Sequence, residues 1–121
     1  MSEQSTRNVV FVINNAPYGN ERPFNALRLA LNLIKRPRVN VRVFMTADCV
    51  LYTRKGQKTP EGFYNIERMV KALAQRGEVA TRGSCCAARG LEPEDKIQSV
   101  LAGSLDLHGD WVLEAAQVIV Y

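Results

Sequence analysis

The chain has 121 residues, of which 46% are hydrophobic and 23% are charged. This length supports one domain with a buried core and leaves no room for a second domain of ordinary size. The hydrophobic and charged fractions indicate a folded rather than a disordered protein. The formal net charge is +4, and no basic run interleaved with aromatic residues, as in a dedicated nucleic-acid binder, is present.

The first half of the chain alternates between predicted strands and helices. Residues 9–13 are apolar without alternation, which is typical of a strand buried on both faces of a parallel sheet. After the turn-forming segment 14–20, a helix is predicted over residues 23–35, because apolar side chains recur there at spacings of three and four. Residues 39–45 form the second predicted strand, and a polar loop is predicted over residues 53–62.

The same alternation continues to the end of the chain. Apolar residues between Ile66 and Leu73 mark a second helix, which Gly77 closes. The remaining predicted elements are, in chain order, a third strand over residues 78–81, a loop over 82–91, a short helix opened by Pro93, a weak fourth strand over 100–103, a helix over 107–115 and a final strand over 118–120.

Strands that alternate with helices of this length indicate βαβ units. The predicted fold class is therefore α/β: a three-layer α/β/α domain with a mostly parallel five-stranded sheet, of the flavodoxin-like kind. In a parallel sheet, the loops that follow the strands open at one edge, where open α/β folds bind ligands. That edge is predicted to carry segment 14–20, Asp48 with Cys49, and segment 82–89.

Cys85 and Cys86 are the candidate reactive groups, because they lie in a polar loop between Arg82 and Arg89. The thiolate is the reactive form of cysteine and nearby cations favour it, so both arginines are candidate binding residues. The alternative is that the two thiols are small buried hydrophobic groups. Two adjacent cysteines and one distant histidine lack the spacing of zinc ligands, so no metal site is predicted.

Further candidate binding residues at the same edge are Asn15, Tyr18, Glu21 and Asp48. Segment 14–19 could hold an anion or a carbonyl with its amides and the Tyr18 hydroxyl, or could equally be a tight turn between strand and helix. It matches neither the dinucleotide fingerprint nor the Walker pattern. We expect Cys49 to be a buried residue at a strand end, and His108 to cap a helix or face solvent.

The three cysteines cannot all pair within one chain, which excludes the even-numbered disulfide framework of a secreted miniprotein. No apolar run is long enough for a signal peptide or a membrane span. We therefore expect a cytoplasmic protein with a single domain over residues 1–121, in which residues 1–7 form a flexible N-terminus, and with neither a nucleic acid nor a membrane as partner.

Three blocks of sequence have a recognisable order. The opening strand is followed by NAPYGNE at residues 15–21 and by FNALRLA at residues 24–30; GQK at 56–58 precedes EGFYNI at 61–66, and Cys85 stands four residues before Arg89. Over about residues 8–121 the chain resembles the DsrE/DsrF family, in particular its YchN-like branch.

The resemblance implies a compact α/β/α subunit that assembles into trimers or hexamers. It also implies sulfur trafficking: members with the loop cysteine accept and pass on sulfane sulfur as a persulfide, and Cys85 matches that cysteine by position. The YchN-like branch often carries another cysteine three residues earlier, where this chain has Arg82; here the second thiol is Cys86.

On this basis we predict a sulfur-relay protein, a sulfurtransferase-like carrier rather than a turnover enzyme, with sulfur donor and acceptor proteins as partners and no cofactor. The alternatives are a thiol-redox protein or sensor that uses the adjacent cysteines, and a small-ligand binding protein that uses segment 14–18. Apolar side chains in or near the 53–62 loop independently favour a homo-oligomer that covers them: Leu51, Tyr52, Phe63 and Tyr64.

Overall fold

The structure, a computed structural model, describes residues 6–16, 18, 21–59 and 65–121. The strands are β1 (Arg7–Ile13), β2 (Val39–Met45), β3 (Glu78–Arg82), β4 (Leu101–Gly103) and β5 (Gln117–Val120). The α-helices are α1 (Glu21–Leu33), α2 (Ile66–Arg76), α3 (Gly83–Ala88) and α4 (Leu105–Glu114). Two 3-10 segments, Ala47–Thr53 and Pro93–Asp95, lie in the connections. None of the helices in these described ranges combines the length and apolarity that a bilayer crossing requires.

The five strands form one parallel sheet in the order β4-β3-β2-β1-β5. The first three crossovers move along the sheet in one direction, and the connection from β4 to β5 returns across it. Because parallel crossovers are right-handed, the returning helix α4 must lie on the face opposite α1 and α2. This arrangement confirms the predicted three-layer α/β/α fold and its parallel sheet.

The side chains of β1 show how the two faces are filled. Val9, Phe11 and Ile13 belong to the large core cluster that includes buried residues of α1 and α2. Val10 and Val12 point the other way, as expected from the two-residue period of a strand, and pack in a smaller cluster with Trp111 of α4. The unbroken apolar run of β1 is therefore explained by burial on both faces.

One arginine joins α4 to the sheet. Arg42 of β2 lies on the α4 face, and its guanidinium carbon is 5.4 Å from the centre of the Trp111 ring. Its Nε and Nη1 atoms pair with Glu78 at 2.8 Å and with Glu114 at 2.7 Å. Arg42 therefore bridges a carboxylate at the start of β3 and a carboxylate at the end of α4.

Several predicted boundaries are wrong. β1 begins at Arg7, whose N–H donates to the Arg38 carbonyl at 2.8 Å, so Arg7 is not part of a flexible N-terminus; residues 1–5 lie outside the described residues. Helix α1 begins two residues earlier than predicted, since a proline is tolerated in the first helical turn. It ends at Leu33, before a turn in which Arg38 has φ 59°.

The predicted loop over residues 82–91 is also wrong, because six of its residues form helix α3. Helix α4 starts at Leu105 rather than at residue 107, with the Ser104 side chain accepting the Leu107 N–H as an N-cap. Tyr52 is fully buried within the subunit and therefore offers no surface for assembly. Phe63 and Tyr64 lie outside the described residues.

Candidate functional site

Hydrogen bonds tie together the carboxyl ends of three neighbouring strands. The Asn14 N–H donates to the Tyr121 carbonyl at 3.0 Å, and the Thr46 N–H donates to the Ile13 carbonyl at 3.1 Å. The Thr46 hydroxyl donates to the side-chain oxygen of Asn14. The segments that follow β1, β2 and β5 are therefore held in fixed positions at the edge where the sequence predicts the site.

Cys85 lies at this edge because α3 begins directly after β3. Its side chain is partly exposed, and its Sγ accepts a hydrogen bond from the Ala47 N–H at 3.2 Å. Ala47 has φ 51°, in the left-handed region that residues other than glycine seldom adopt. The chain after β2 is thus turned so that a backbone donor points at the sulfur, and such a donor bonds an anionic acceptor more strongly than a neutral one.

Asp48 and Arg89, both predicted as binding residues, form an ion pair beside Cys85. The Arg89 Nε lies 2.9 Å from the Asp48 Oδ1, and the Arg89 Nη1 donates to the Cys85 carbonyl at 3.1 Å. Because the Asp48 side chain is 60% exposed, the pair contributes less than about 1 kcal/mol to stability. Its effect is positional: it connects the segment that carries Ala47 to the helix that carries Cys85.

Cys86 has different surroundings from Cys85. Consecutive side chains of a helix point about 100° apart, and Cys86 is buried against Val50 and Leu91. The Lys96 ammonium lies 4.0 Å from its Sγ and 3.3 Å from the Thr81 hydroxyl. The two predicted thiols therefore share one short helix, but Cys85 is at the surface and Cys86 is in the core beside a cation.

Cys49 is fully buried in the main core cluster, as predicted. Burial raises the pKa of its thiol well above the ordinary value, because the charged form cannot be solvated there. Cys49 is therefore a protonated core group in the folded protein.

Arg82 is directed towards α4. Burial, together with the positive charge of Arg82, lowers the pKa of His108, which stacks on Phe44 with 4.4 Å between ring centres. His108 thus neither caps a helix nor faces open solvent; it covers part of the α4 face of the sheet. A role of Arg82 at the thiol stays a prediction.

The segment after β1 is fastened to the start of α2. The Tyr18 hydroxyl donates to Gln57 Oε1 at 2.8 Å and accepts the Ile66 N–H at 3.1 Å. The Tyr52 hydroxyl donates to the Ala16 carbonyl at 3.2 Å. Tyr18 is thus bonded at the N-terminus of α2, while Asn15 is partly exposed and Glu21 is the exposed first residue of α1.

Two contributors to the site were not predicted. Ala47 acts through its backbone N–H, and its positive φ cannot be predicted from the sequence because alanine seldom adopts that conformation. Lys96 is one of many cations in a basic chain, so the sequence does not single it out. Its backbone pairs with that of Arg54, which is distant in sequence.

Among the described residues, no group of three or more histidine, cysteine or acidic side chains is placed to hold a metal ion.

The surroundings of the three thiols predict their order of reaction with iodoacetamide. Cys85 should be alkylated first near neutral pH, since it is the most exposed of the three, whereas Cys86 and Cys49 are buried. Peptide mapping by mass spectrometry over time measures the order. In denaturant all three should react at similar rates, and earlier labelling of Cys49 or Cys86 in the folded protein would contradict the assignment.

The fold and the site together define an α/β protein that presents a partly exposed thiol at the carboxyl edge of a parallel sheet. Comparison with known proteins identifies its family. The chain belongs to the DsrE/DsrF-like family, whose family model matches residues 7–121. The resemblance found in the sequence is therefore confirmed.

Relatives match over nearly the whole chain. Protein YchN of Escherichia coli strain K12 is 37% identical over 115 residues, which cover 93% of this chain and 97% of YchN. The uncharacterized protein MK0008 of Methanopyrus kandleri is 35% identical over 113 residues, which cover 93% of each protein.

Two solved structures are similar. The crystal structure of YchN from E. coli has a TM-score of 0.89 at 36% identity, covering 96% of this chain and 100% of that one. The structure of MTH1491 from Methanobacterium thermoautotrophicum, a protein of unknown function, has a TM-score of 0.75 at 18% identity, covering 95% and 99%. The second likeness concerns the fold alone.

Proposed function

We propose that this protein is a cytoplasmic sulfur-relay protein that accepts sulfane sulfur on Cys85 and transfers it as a persulfide. The observation that carries the proposal is the Cys85 sulfur itself: partly exposed at the carboxyl edge of the sheet, it accepts the Ala47 N–H. The sequence resemblance, which matches Cys85 with the family's loop cysteine, supports the same assignment. Proteins that donate and accept sulfur are the proposed partners.

The transfer is a thiolate exchange without net oxidation. The Cys85 thiolate attacks the outer sulfur of a donor persulfide, R–S–SH; the new bond forms between the Cys85 Sγ and that sulfur, and the donor S–S bond breaks. The donor leaves as R–S⁻, and the proton stays on the transferred sulfur, giving Cys85–S–SH. Attack by an acceptor thiolate on the outer sulfur repeats the exchange and returns the Cys85 thiolate.

Backbone and side-chain groups around Cys85 fit this role. The Ala47 N–H faces the sulfur at 3.2 Å and can bond the thiolate before loading and after release. The Arg89 guanidinium bonds both the Cys85 carbonyl and Asp48, which holds α3 against the segment that carries the Ala47 N–H. The partly exposed sulfur leaves room for a partner protein to approach.

The geometry of α3 argues against the thiol-redox alternative. A disulfide between Cys85 and Cys86 would join consecutive residues, whose Cα atoms are about 3.8 Å apart, below the usual range for disulfides. Their side chains also diverge along the helix, and Cys86 is buried. Such a bond requires α3 to unwind, whereas a persulfide on Cys85 does not.

Intact-mass measurement after incubation with a persulfide donor tests the proposal. We expect a gain equal to one sulfur atom, mapped to Cys85 and removed by an excess of an acceptor thiol. A loss of two hydrogen atoms without a gain of sulfur would instead indicate the disulfide, and a protein that stays unmodified would refute the relay role.

We further propose that the protein is a homo-oligomer, a trimer or a hexamer, which covers an apolar surface formed by α4 and β5. Leu113 is 86% exposed and Val120 is 65% exposed, with Val112 and Val118 also exposed nearby in the chain. Among the described residues, β5 is an edge strand that pairs with β1 alone, so its other side offers backbone groups to a second chain. Exposed apolar patches of this kind mark association surfaces.

Replacing Leu113 with aspartate should therefore dissociate the oligomer. Multi-angle light scattering should return a multiple of 13.5 kDa for the natural chain and the monomer mass for Leu113→Asp. Leu101→Asp, at the opposite edge of the sheet, is the matched control and should keep the assembly. A natural chain that stays at 13.5 kDa at all concentrations would exclude the oligomer.

A further inference from the structure

A cavity of about 450 Å³ lies on the α2 side of the sheet, away from Cys85. It opens between α2 and the segment that precedes β4, and its lining residues are Lys55, Lys71, Gln75, Ile97, Gln98 and Ser99. This volume is in the range of sites that bind small organic molecules. We propose that this cavity binds a small phosphate ester, a function separate from the relay of sulfur.

The polar lining of the cavity consists of groups that donate hydrogen bonds. Two lysines, two glutamines and one serine line it, and none of the described lining residues carries a carboxylate. Lys71 lies 3.1 Å from Glu67, but the other oxygen of Glu67 accepts the Gln57 N–H at 2.7 Å, so that carboxylate is shared. No described carboxylate lies within ion-pair distance of Lys55. The cavity therefore carries excess positive charge.

The backbone around the cavity is fixed before a ligand arrives. The Ile97 N–H donates to the Thr53 carbonyl at 2.7 Å, and the Lys55 N–H donates to the Asp95 carbonyl at 2.9 Å. Ile97 is 3% exposed and gives the lining its apolar residue. A phosphate has enough acceptor oxygens to bond two ammonium groups together with a hydroxyl or an amide. The apolar part of an ester can contact the methylene groups of the lining lysine and glutamine side chains, together with the small exposed part of Ile97. Inorganic phosphate cannot make these contacts.

The cavity is independent of both proposals made above. Lys96, next to Ile97 in the chain, points towards Cys86 and Thr81 rather than into the cavity. Its ammonium therefore belongs to the surroundings of Cys86, whereas Ile97 lines the cavity. The cavity also lies on the face of α1 and α2, whereas the exposed apolar surface belongs to α4 and β5. Assembly through that surface leaves the cavity open.

Titration of the nitrogen-15-labelled protein with phenyl phosphate, followed by amide chemical shifts at constant ionic strength, tests the proposal. We expect saturable shifts at Lys71, Gln98 and Ser99, weaker binding of inorganic phosphate, and no binding of phenol. The double variant Lys55→Gln, Lys71→Gln should lose affinity for phenyl phosphate by about ten-fold or more. Lys35→Gln, which removes an exposed lysine beyond α1, is the matched control and should bind as the natural chain does.

Three results would overturn the inference: no saturable shift at these amides up to millimolar phenyl phosphate, unchanged affinity in the double variant, or tighter binding of benzoate than of phenyl phosphate. The last would make the site one for carboxylates. If the double variant fails to fold, Lys55→Gln alone decides the question, because Lys55 has no described ion-pair partner to lose. Sulfur loading of Cys85 is measured separately, so failure of one proposal leaves the other standing.

Discussion

Cys85→Ser is expected to abolish sulfur loading and to leave the fold intact. A serine hydroxyl is too weakly acidic to supply the anionic nucleophile, so no persulfide analogue forms. The serine oxygen can still accept the Ala47 N–H, and the side chain is only partly buried. The free energy of unfolding should therefore change by no more than about 1 kcal/mol. Donor-dependent mass gain and the urea midpoint, measured on the same preparation, give the two readouts.

Cys86→Ala is the matched control for that variant. It removes the neighbouring thiol, which is buried and lies beside Lys96, and should retain most of the loading at some cost in stability. Normal loading in Cys85→Ser would reject Cys85 as the relay thiol. Loss of loading in both variants without unfolding would favour a paired-cysteine reaction. Loss of loading in Cys85→Ser together with a large loss of stability would show that this thiol is a core group.

Periodicity in the sequence was sufficient to predict the sheet and the longer helices. The apolar run at residues 9–13 is typical of a strand buried on both faces, and the structure fills those faces with α1 and α2 on one side and Trp111 on the other. The alternation of strands and helices then required a parallel sheet, which in turn placed the loops at one edge. These predictions depend on the spacing of apolar residues over several positions. That spacing is set directly by which side chains of a strand or helix are buried.

Short helices could not be predicted from periodicity in the same way. Helix α3 has six residues, too few for an apolar period to be recognised, and its buried side chain is the thiol Cys86 rather than a larger hydrophobic group. The sequence interpretation of residues 82–91 as a loop follows from their polarity and glycines. The helix brings Cys86 into contact with Leu91, five residues further along the chain, and with Val50. The contact with Val50 joins distant parts of the chain and cannot be recognised in a local pattern.

The sequence predicts candidate binding residues but not how they are arranged around Cys85. Asp48 and Arg89 were both named as binding residues, and the structure joins them in an ion pair that the sequence could not specify, because 41 positions separate them. The donor to the Cys85 sulfur is a backbone group, and backbone direction depends on the φ of Ala47, which alanine does not encode. Contacts between side chains and backbone groups of different loops therefore cannot be predicted from this sequence.

Gly77→Ala should cause the largest loss of stability of any substitution considered, about 3 kcal/mol in the free energy of unfolding. Gly77 ends α2 immediately before β3, and its N–H donates to the Leu73 carbonyl at 2.7 Å. A Cβ there would lie 2.3 Å from the carbonyl oxygen of Val41 and 3.0 Å from the Ile34 Cδ1 atom. The Val41 carbonyl belongs to a central strand and cannot move without disturbing the sheet, so the clash displaces the junction of α2 and β3.

Gly109→Ala is the matched control, because the same methyl group is added where no atom beyond its chain neighbours and its own helix backbone lies within 4 Å. Gly109 lies inside α4, and alanine is the better helix former by about 1 kcal/mol, so this variant should be more stable than the natural chain. Urea midpoints at one fixed protein concentration compare the two, since assembly makes the midpoint depend on concentration. Equal midpoints for Gly77→Ala and the natural chain would show that Gly77 does not lie as close to the Val41 carbonyl as this clash requires. The same Gly→Ala substitution is thus expected to lower the free energy of unfolding at position 77 and to raise it at position 109. The difference arises because a new methyl group meets the Val41 carbonyl oxygen at Gly77 but has open space at Gly109.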